Sequence, residues 1–460
     1  MRKVESGTLD REDSGSRPMT VAFQTFGCKV NQYDTQAMRE LFLAAGYAEV
    51  PFDSPADVYL INTCTVTGTG DKKSLNAIRR AHKQNPEGSI IVAGCLSQRE
   101  PDNIAEMDGV GLVLGTQHRN EVVELLNRAQ KEGKPVLAVS SKIERTFENT
   151  PIHTNEGHTR AVLKIQEGCN RFCTYCIIPT VRGPIRSRPA DQIREEATVL
   201  AQNGFKEIVL TGIHLTSYGL DLGRGISLLD AIRALYTVKG IERIRLGSLE
   251  PVIITEAFVD ALVDMPRVCR QFHLALQSGS NPILERMHRR YTKEDFLAAC
   301  ELLRSRFPDC AITTDVMCGF PGETEELFEE TKETCIRAGF TRMHVFPYSE
   351  REGTPAATMD GCVPVRVRQA RALELISLGD RLKNEAGQRM IGKKEKVLVE
   401  TVQKEGLVGY TDSYFRCIID EGLSMDREYS GQIVDVVITG LSGDTLRTRE
   451  IQIDDKRNGG

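Results

Sequence analysis

Three cysteines fall within eight residues of this chain, in the run Cys169-Asn-Arg-Phe-Cys173-Thr-Tyr-Cys176. The run follows a short apolar stretch, Ala161-Val-Leu-Lys-Ile165, which is typical of a β-strand. A loop that holds three thiolates this close together can bind three irons of a 4Fe-4S cluster, whereas a closed cluster takes four cysteines. The spacing therefore predicts a strand that ends in a metal-binding loop, with one iron left open for a further ligand.

Two other interpretations of this loop stay open on the residues alone. A structural zinc site needs a fourth Cys or His at short spacing, usually in paired C-x2-C units. His153 and His158 lie upstream of the loop, but not at a standard ligand spacing. The other interpretation is three buried, unreactive thiols, which fits poorly with the polar loop residues Asn170 and Arg171.

Three further cysteines each follow a short apolar run nearer the N-terminus. The runs end at Cys28, Cys64 and Cys95, and helical patterns over Tyr33–Ala45 and Ser74–Gln84 separate them. Alternating strands and helices at this spacing predict a parallel, doubly wound sheet. Ligands of such sheets bind outside the carboxyl ends of the strands, so the three thiols should converge. The pattern predicts a second cluster with an open iron, the alternative being three small apolar core residues.

From Thr159 onward, strand and helix patterns alternate six times, which predicts a parallel, partly open (β/α)6 barrel. The predicted strands are Ala161–Ile165, Glu207–Thr211, Arg243–Ser248, Gln271–Gln277, Ala311–Cys318 and Arg342–Tyr348. The predicted helices are Asp191–Gln202, Leu228–Thr237, Thr255–Val263, Lys293–Arg304 and Glu323–Ala338. Catalytic residues of such barrels gather at the C-terminal ends of the strands, and the loop that begins at Cys169 lies at such an end.

Glycines and polar side chains follow several of these predicted strands. Glycine lets the backbone approach a ligand closely, although an ordinary turn would explain each glycine by itself. The glycine-containing turns are Gly212, Gln277-Ser-Gly279 and Gly319-Phe-Pro-Gly322. The polar candidates for hydrogen bonds to a cofactor are Glu250, Gln277, Asp315, His214 and Tyr218. For each of these polar residues the alternative is a solvated position in a loop.

Past about Arg381 the pattern changes to short strands separated by Gly, Ser and Asp. The predicted strands are Lys396–Val402, Leu407–Thr411, Phe415–Ile419, Gln432–Ile438 and Thr445–Ile451. Short strands at this spacing predict a small closed β-barrel of the oligonucleotide-binding type. Acidic residues outnumber basic ones from Arg389 onward, with one basic cluster at Lys393, Lys394 and Lys396, so composition alone does not indicate RNA binding.

The overall composition excludes several classes of protein. No apolar run approaches the length of a membrane span, and Met1–Pro18 lacks the apolar core of a secretory signal, so we expect a cytoplasmic protein without membrane association. Thirteen cysteines without an export signal predict reduced thiols. The net charge of −5 means that any nucleic-acid contact must be a local patch. We expect the folded part to begin at Met19, and the sequence leaves open whether translation starts at Met1 or Met19.

Together these motifs resemble the radical S-adenosylmethionine (SAM) methylthiotransferase family over about Thr20–Ile453. Gly27-Cys-Lys-Val-Asn-Gln-Tyr-Asp34 and Phe346-Pro-Tyr-Ser-Glu-Arg-Glu-Gly-Thr354 also resemble signatures of that family. With the resemblance, we expect a disordered extension (1–18), an N-terminal methylthiotransferase domain (19–130), a linker (131–154), a radical SAM domain (155–385) and a C-terminal barrel called TRAM (386–455).

The resemblance implies two 4Fe-4S clusters and a SAM site. The implied ligands of an auxiliary cluster are Cys28, Cys64 and Cys95. The implied ligands of the cluster whose open iron binds SAM are Cys169, Cys173 and Cys176. The residues expected to contact SAM are Tyr175, Gly212, Glu250, Gln277 and Asp315. No catalytic residue is assigned beyond the cluster ligands.

The signature around Cys28 is similar to the branch of the family that acts on N6-threonylcarbamoyladenosine beside the tRNA anticodon, as is the run Arg245-Leu-Gly-Ser-Leu-Glu-Pro251. The isopentenyladenosine branch tends to read Gly-Cys-Gln-Met-Asn at the first place. The branch that modifies an aspartate of a ribosomal protein tends to read Gly-Cys-Pro-Lys-Asn. These two substrates are the alternatives.

The implied reaction adds a methylthio group to carbon 2 of the adenine ring. One SAM would give its methyl group to a sulfur at the auxiliary cluster, and a second SAM, cleaved by one electron, would yield the radical that removes hydrogen. Carbon 2 carries no acidic proton, so acid–base chemistry alone cannot activate it. The two clusters must therefore face one cavity. We expect tRNA and an electron donor as partners, and a monomeric enzyme.

Two functions of other classes remain as alternatives. A two-cluster electron carrier would need closed sites with four cysteines, which neither triplet provides. An RNA-binding protein with purely structural clusters would consume no SAM, and an anaerobic cleavage assay would separate it from an enzyme.

Overall fold

A computed structural model describes residues 17–423 and 428–451 of the chain. The predicted disordered extension at 1–18 falls outside these residues except for Arg17 and Pro18. Within the described ranges, no helix combines the length and the apolar character needed to cross a membrane. All thirteen cysteines are free, as expected of reduced thiols.

The N-terminal region is a parallel sheet with helices packed against it. Its strands are β1 (Thr20–Thr25), β2 (Ala48–Glu49), β3 (Val58–Thr63), β4 (Ser89–Gly94), β5 (Val110–Leu114) and β6 (Val136–Ala138). Its helices are α1 (Lys29–Ala44), α2 (Gly68–Gln84), α3 (Cys95–Arg99), α4 (Pro101–Ala105) and α5 (Val122–Glu132). The strand order β2-β1-β3-β4-β5-β6, with all pairs parallel, confirms the predicted doubly wound fold.

Both helices predicted here begin earlier than the sequence pattern indicated. Helix α1 begins at Lys29, directly after Cys28, and α2 begins at Gly68 rather than Ser74. The Thr67 hydroxyl caps α2 by accepting a hydrogen bond from the backbone N–H of Gly70 at 3.1 Å. The first turn of α2 contains no apolar residue and that of α1 only Val30, so apolar periodicity did not reveal these starts. Strand β6 lies within the range predicted as a linker, and the domain boundaries stay a prediction.

The middle region is an open barrel of parallel strands. Its strands are β7 (Arg160–Glu167), β8 (Arg186–Ser187), β9 (Glu207–Gly212), β10 (Arg243–Leu246), β11 (Ser248–Leu249), β12 (Gln271–Leu274), β13 (Ala311–Cys318) and β14 (Arg342–Pro347). They pair in the orders β10-β9-β7-β8 and β11-β12-β13-β14, and Ile244 of β10 forms a parallel bridge with Val268, which precedes β12. Five of the six predicted parallel strands are present as single strands, whereas the predicted strand 243–248 is divided into β10 and β11, which pair in different groups. Strand β8 adds a short antiparallel partner to β7.

Helices cover the outside of this barrel and enclose its apolar core. They are α6 (Ile178–Arg182), α7 (Ala190–Gln202), α8 (Leu228–Tyr236), α9 (Glu256–Val263), α10 (Asn281–Arg286), α11 (Lys293–Arg306), α12 (Glu325–Ala338) and α13 (Val365–Gln388). The sequence did not predict α13, because arginines occupy core positions on it. Arg368 is buried against the carbonyl of Tyr348, and Arg371 forms a buried ion pair with Glu323 at 2.9 Å.

The C-terminal region is a small closed barrel, as predicted. Its strands are β15 (Lys394–Gln403), β16 (Gly406–Thr411), β17 (Arg416–Glu421), β18 (Ile433–Ser442) and β19 (Thr445–Glu450), in the order β15-β16-β17-β19-β18. It docks on β10 through two arginines. Arg243 donates a hydrogen bond to the carbonyl of Tyr410 at 3.2 Å, and Arg245 donates one to the carbonyl of Asp412 at 2.8 Å.

Candidate functional site

The three N-terminal cysteines lie at one edge of the first sheet. Cys64 and Cys95 directly follow the last residues of β3 and β4, and Cys28 lies in the short loop after β1. These three strands are neighbours in the sheet. Cys28 is exposed, Cys64 half-buried and Cys95 buried. Gly27 has a φ of +103°, and a Cβ there would lie 2.9 Å from the Cβ of Cys64. Glycine is therefore required for the loop of Cys28 to approach Cys64 this closely.

Arg182 connects this triplet to the rest of the molecule. Its Nε lies 3.2 Å from the Sγ of Cys95, and its other nitrogens contact Asn31 and the carboxylate of Glu167. Burial raises the pKa of the Cys95 thiol to about 11, and the positive charge of Arg182 opposes that rise. Because Arg182 ends helix α6, only a few residues beyond Cys176, one side chain joins the two cysteine-bearing regions.

The second triplet occupies the loop after β7. Gly168 precedes it with a φ of +69°, and a Cβ there would lie 1.9 Å from the carbonyl oxygen of Pro184, so only glycine fits. The N–H of Cys169 donates to the carbonyl of Gly183 at 3.0 Å, and the N–H of Cys176 donates to the carbonyl of Cys173 at 3.0 Å. Burial raises the pKa of Cys169 to about 11 and that of Cys176 to about 12.

A buried carboxylate, Glu250, lies next to this loop among three basic side chains. Arg171 and Arg289 each bring a guanidinium nitrogen to Glu250, at 2.8 and 3.1 Å, and His214 Nε2 lies 3.1 Å away. Burial alone would raise the pKa of Glu250, but His214, Arg289 and Arg171 together lower it to about 2. Arg289 also donates a hydrogen bond to the Sγ of Cys173 at 3.4 Å. Glu250 is therefore ionised at neutral pH and coupled to the triplet.

Sequence reasoning singled out Glu250 and His214 and noted Arg171 as a polar residue of the cysteine loop, without predicting its ion pair with Glu250. It missed Arg289. Arg289 lies more than a hundred residues away along the chain, and no local pattern marks it. The same holds for Arg182, whose partner cysteine belongs to another region.

The other residues predicted to contact SAM have separate surroundings. Tyr175 packs in an apolar cluster, edge-on to Phe320 with ring centroids 6.3 Å apart. Gln277 has a φ of +64°, and its N–H donates to the carbonyl of Asp315 at 2.9 Å. A Cβ on Gly212 would lie 2.8 Å from the side chain of Gln166. The carboxylate of Asp315 lies 3.1 Å from His273 Nε2. SAM contacts by these residues stay predictions.

Tyr218, the remaining candidate, is buried, and its hydroxyl donates a hydrogen bond to the carbonyl of Arg188 at 2.6 Å. That hydrogen bond gives the hydroxyl a structural partner within the barrel. Tyr218 therefore belongs to the hydrophobic core, and a contact between Tyr218 and a cofactor stays a prediction.

A cavity of about 620 Å³ lies where the three regions meet. The N-terminal region contributes Gly27, Cys28, Lys29 and Gln32 to its lining, and the C-terminal barrel contributes Tyr414. The inner positions of the middle barrel contribute residues such as Ser248, Gln271, His273, Thr313, Asp315 and His344. Its volume is within the range of ligand-binding cavities. The loop that carries Cys28 therefore faces the interior of the barrel.

Both donor sets consist of thiols, the ligands that hold 4Fe-4S clusters with each thiolate on a different iron. Each triplet also offers three thiols, which leaves one iron of a cluster without a protein ligand.

Comparisons with known proteins agree with this arrangement. The Radical SAM superfamily matches residues 163–335, which include the second triplet, and Uncharacterized protein family UPF0004 matches residues 20–115, which include the first. The Threonylcarbamoyladenosine tRNA methylthiotransferase MtaB of Bacillus subtilis is 44% identical over 87% of this chain and 90% of its own length. The protein of the same name from Aquifex aeolicus is 39% identical over 83% and 93%.

The chain belongs to the radical SAM tRNA methylthiotransferases. A relative from Acetivibrio thermocellus, described as a tRNA-2-methylthio-N(6)-dimethylallyladenosine synthase, is 37% identical over 83% of this chain and 80% of its own length. A member of the radical SAM superfamily uses SAM and a 4Fe-4S cluster, and the second triplet lies within the matched segment.

The fold itself has been seen in solved structures. The radical S-adenosylmethionine methyltransferase TsrM from Kitasatospora setae superposes with a TM-score of 0.55 over 74% of this chain and 77% of its own, at 15% identity. This likeness supports the fold of the methylthiotransferase and carries no information on its substrate.

Proposed function

We propose that this protein transfers a methylthio group to carbon 2 of N6-threonylcarbamoyladenosine beside the anticodon of tRNA. Relatives that carry this activity in their names are 37–44% identical over most of the chain. The observation that carries the proposal is the shared cavity, which Cys28 lines from one side and the inner barrel strands line from the other. A sulfur donor and a radical that act on the same carbon atom must meet in such a space.

Two 4Fe-4S clusters would be held by the two triplets. Cys28, Cys64 and Cys95 would hold the auxiliary cluster, and the loop from Cys169 to Cys176 would hold the cluster that binds SAM. When bound, these groups supply the methylated sulfur and the one-electron cleavage of SAM, chemistry that no side chain of the chain can provide.

The chain's own residues would bind and orient the reactants. Glu250 is an ionised, buried acceptor beside the second triplet, which suits the ammonium group of SAM. Arg289 and Arg171 place positive charge next to the thiols and would offset the charge of the ligated cluster. Tyr175, Gly212, Gln277 and Asp315 remain proposed contacts of SAM.

Arg182 would fix the position of the first triplet relative to the second. It contacts Cys95, Asn31 and Glu167, and its NH1 lies 3.5 Å from Asp34. Since it is fully buried, it can move only if this charged network opens. It is a positioning residue, because it would act through the auxiliary cluster rather than on substrate.

The proposed partners are tRNA and a one-electron reductant, and the proposed site of action is the cytoplasm. A basic groove beside the second triplet is lined by Arg145, Arg171 and Arg290. It supplies the local positive patch that a chain of net charge −5 needs to contact phosphates. We propose a monomer, because one chain carries both cysteine triplets.

The test is mass spectrometry of tRNA nucleosides from cells that lack this gene. We expect the 2-methylthio form of threonylcarbamoyladenosine to disappear and its unmodified precursor to accumulate. Return of the wild-type gene should restore the nucleoside, and a Cys173→Ala gene should not. If that nucleoside were unchanged while the dimethylallyl form lost its methylthio group, the proposed substrate would be wrong.

A further inference from the structure

The cavity between the three regions is positively charged. Its lining contains four side chains that are cationic at neutral pH and one carboxylate, that of Asp315. The cationic side chains are Lys29, Arg160, Arg245 and Arg342. A cavity with this excess of positive charge, next to a proposed reaction centre, indicates that the bound group carries negative charge.

Two of these cations already have partners within the protein. Arg245 pairs with the buried carboxylate of Glu207 at 2.7 Å, and Arg160 pairs with Glu400 at 2.8 Å. The single carboxylate of the lining is also engaged, by His273. In the part of the chain that the structure describes, no ion pair is formed by either Lys29 or Arg342. These two cations are therefore free to bind a ligand.

The position of Lys29 is unfavourable for the fold by itself. It is the first residue of the 16-residue helix α1, whose first turn contains no acidic residue. A cation at a helix N-terminus is repelled by the positive end of the helix dipole. An anion bound there would be attracted both by the ammonium group and by the positive end of the helix dipole.

The chemistry of the proposed substrate supplies such an anion. The threonyl part of N6-threonylcarbamoyladenosine ends in a carboxylate, whereas the dimethylallyl group of the alternative substrate is a hydrocarbon. Carbon 2, which receives the methylthio group, and carbon 6, which bears the substituted nitrogen, flank the same ring nitrogen. A substituent on the exocyclic nitrogen of carbon 6 therefore lies near any residue adjacent to the sulfur donor. Lys29 is such a residue, because it directly follows Cys28.

We propose that Lys29 and Arg342 bind the threonyl carboxylate and thereby select this substrate over dimethylallyladenosine. The inference rests on the proposed function and names the residues that determine its specificity. Charge-assisted hydrogen bonds from the two cations hold the carboxylate. A hydrocarbon in the same place leaves both cations without partners, and a site built for a polar group rejects an analogue that lacks it.

The test compares binding of three anticodon stem-loops to the cluster-loaded protein. They carry threonylcarbamoyladenosine, its neutral methyl ester, or dimethylallyladenosine. We expect the wild type to bind the acid about 10- to 100-fold more tightly than the ester, as charge-assisted hydrogen bonds allow. Lys29→Met should bring the acid close to the ester without weakening the ester, and Lys29→Arg should keep the preference.

Two controls keep this test decisive. Lys131→Met removes an exposed lysine of α5, away from the cavity, and should leave the ratio of acid to ester unchanged. Iron content and visible absorbance must match the wild type, because Lys29 adjoins Cys28. If Lys29→Met lost its cluster, Arg342→Met on β14 would carry the test, with the same expected loss of preference. Equal binding of acid and ester by the wild type would overturn the inference.

Turnover separates failure of this inference from failure of the proposed function. If the wild type methylthiolates the threonylcarbamoyl stem-loop but Lys29→Met and Arg342→Met keep the full preference for the acid, only the inference is wrong. If the wild type methylthiolates only the dimethylallyl stem-loop, the proposed function is wrong as well.

Discussion

Each of the two cysteine triplets provides three thiols, but the chain brings the thiols together differently in the two cases. The second triplet lies within a single loop of eight residues, and the turn at Gly168 fixes it locally. The first is spread from Cys28 to Cys95 and comes together only because β1, β3 and β4 are neighbours in a sheet. The loop site therefore depends on short-range geometry, whereas the sheet site depends on the tertiary fold.

Their charged surroundings differ in the same way. The loop site has an ionised carboxylate, Glu250, balanced by basic side chains at its rim. The sheet site is held against the barrel by a buried network in which Arg182 and Arg119 contact Asp34 and Glu167. Buried networks of this kind are costly to break, because each lost partner leaves a charge unpaired. The sheet site should therefore be the more sensitive of the two to changes elsewhere in the chain.

The largest expected effect comes from removing one cysteine from each triplet. Cys95→Ala and Cys173→Ala should both abolish methylthiolation, and each should lower the iron content from about eight to about four per chain, because each triplet holds one 4Fe-4S cluster. The two variants should differ in SAM cleavage, which Cys95→Ala retains and Cys173→Ala loses. Iron analysis and an anaerobic cleavage assay measure both effects. Unchanged iron content in either variant would mean that the substituted triplet does not hold a cluster.

Substitution of Arg182 tests whether the sheet site depends on the network. Arg182→Met leaves the carboxylates of Glu167 and Asp34 without one of their partners, and should lower the free energy of unfolding by about 3–5 kcal/mol. Arg128→Met, which breaks an exposed pair with Glu132 on α5, should leave the free energy of unfolding nearly unchanged. Urea titration measures both.

The Arg182 variant should also lose its clusters unequally. During chelator treatment, the iron of the sheet site should leave before the iron of the loop site, in contrast to the wild type with its intact network. Equal rates of loss from the two sites in Arg182→Met would contradict the difference in sensitivity.

A smaller effect is expected at the rim of the loop site. Glu250→Gln removes the ionised acceptor but keeps the size of the side chain, and should weaken SAM binding about 10- to 100-fold, the range for one charge-assisted hydrogen bond. The auxiliary cluster should be unaffected, since Glu250 contacts only residues around the second triplet. Equilibrium binding of SAM to the loaded enzyme measures this, and unchanged affinity would refute the role given to Glu250.

The smallest effect serves as a baseline far from both triplets. Burial, together with the charge of Asp412, raises the pKa of Glu395 to about 8, against an ordinary value of 4.5. Between these values the folded state binds a proton that the unfolded chain releases, so stability falls as pH rises. Glu395→Gln should therefore be more stable than the wild type at pH values above about 8, and urea titration at several pH values measures the difference.

Two observations complete that baseline. The stability gain from Glu395→Gln should vanish at pH values below about 4.5, where both states are protonated. Iron content should stay at the wild-type value, which would show that cluster loss in the other variants does not follow from a general change in stability. A gain that persists at low pH would mean that Glu395 acts through something other than its charge.

The contrast between the triplets also explains what could be predicted from sequence. Regular alternation of strand and helix was enough to predict the folds of the first two regions, and a run of short strands predicted the C-terminal barrel. The cysteines were recognised by their spacing or by their position after strands. Helix α13 was missed because buried arginines interrupt its apolar face. Arg182 and Arg289 were missed because each meets its cysteine only through the tertiary fold, 87 and 116 residues away along the chain.

A cavity that both triplets face was expected only as a requirement of the chemistry and stays a prediction, and the observed cavity is lined by Cys28 of the first triplet. Lys29 and Tyr414 come from different regions of the chain and line the same cavity. Neither segment alone could predict this. Such placement depends on how the regions dock, through contacts such as Arg245 with the carbonyl of Asp412. In this contact the acceptor is a backbone carbonyl, which leaves no mark in the sequence.

The most direct test of the central claim is anomalous diffraction at the iron edge from crystals of the reconstituted protein. The account predicts two iron clusters, one at Cys28, Cys64 and Cys95 and one at Cys169, Cys173 and Cys176, with their open irons facing the cavity that Cys28 and Ser248 line. A single cluster, or two clusters that open onto separate surfaces, would contradict it.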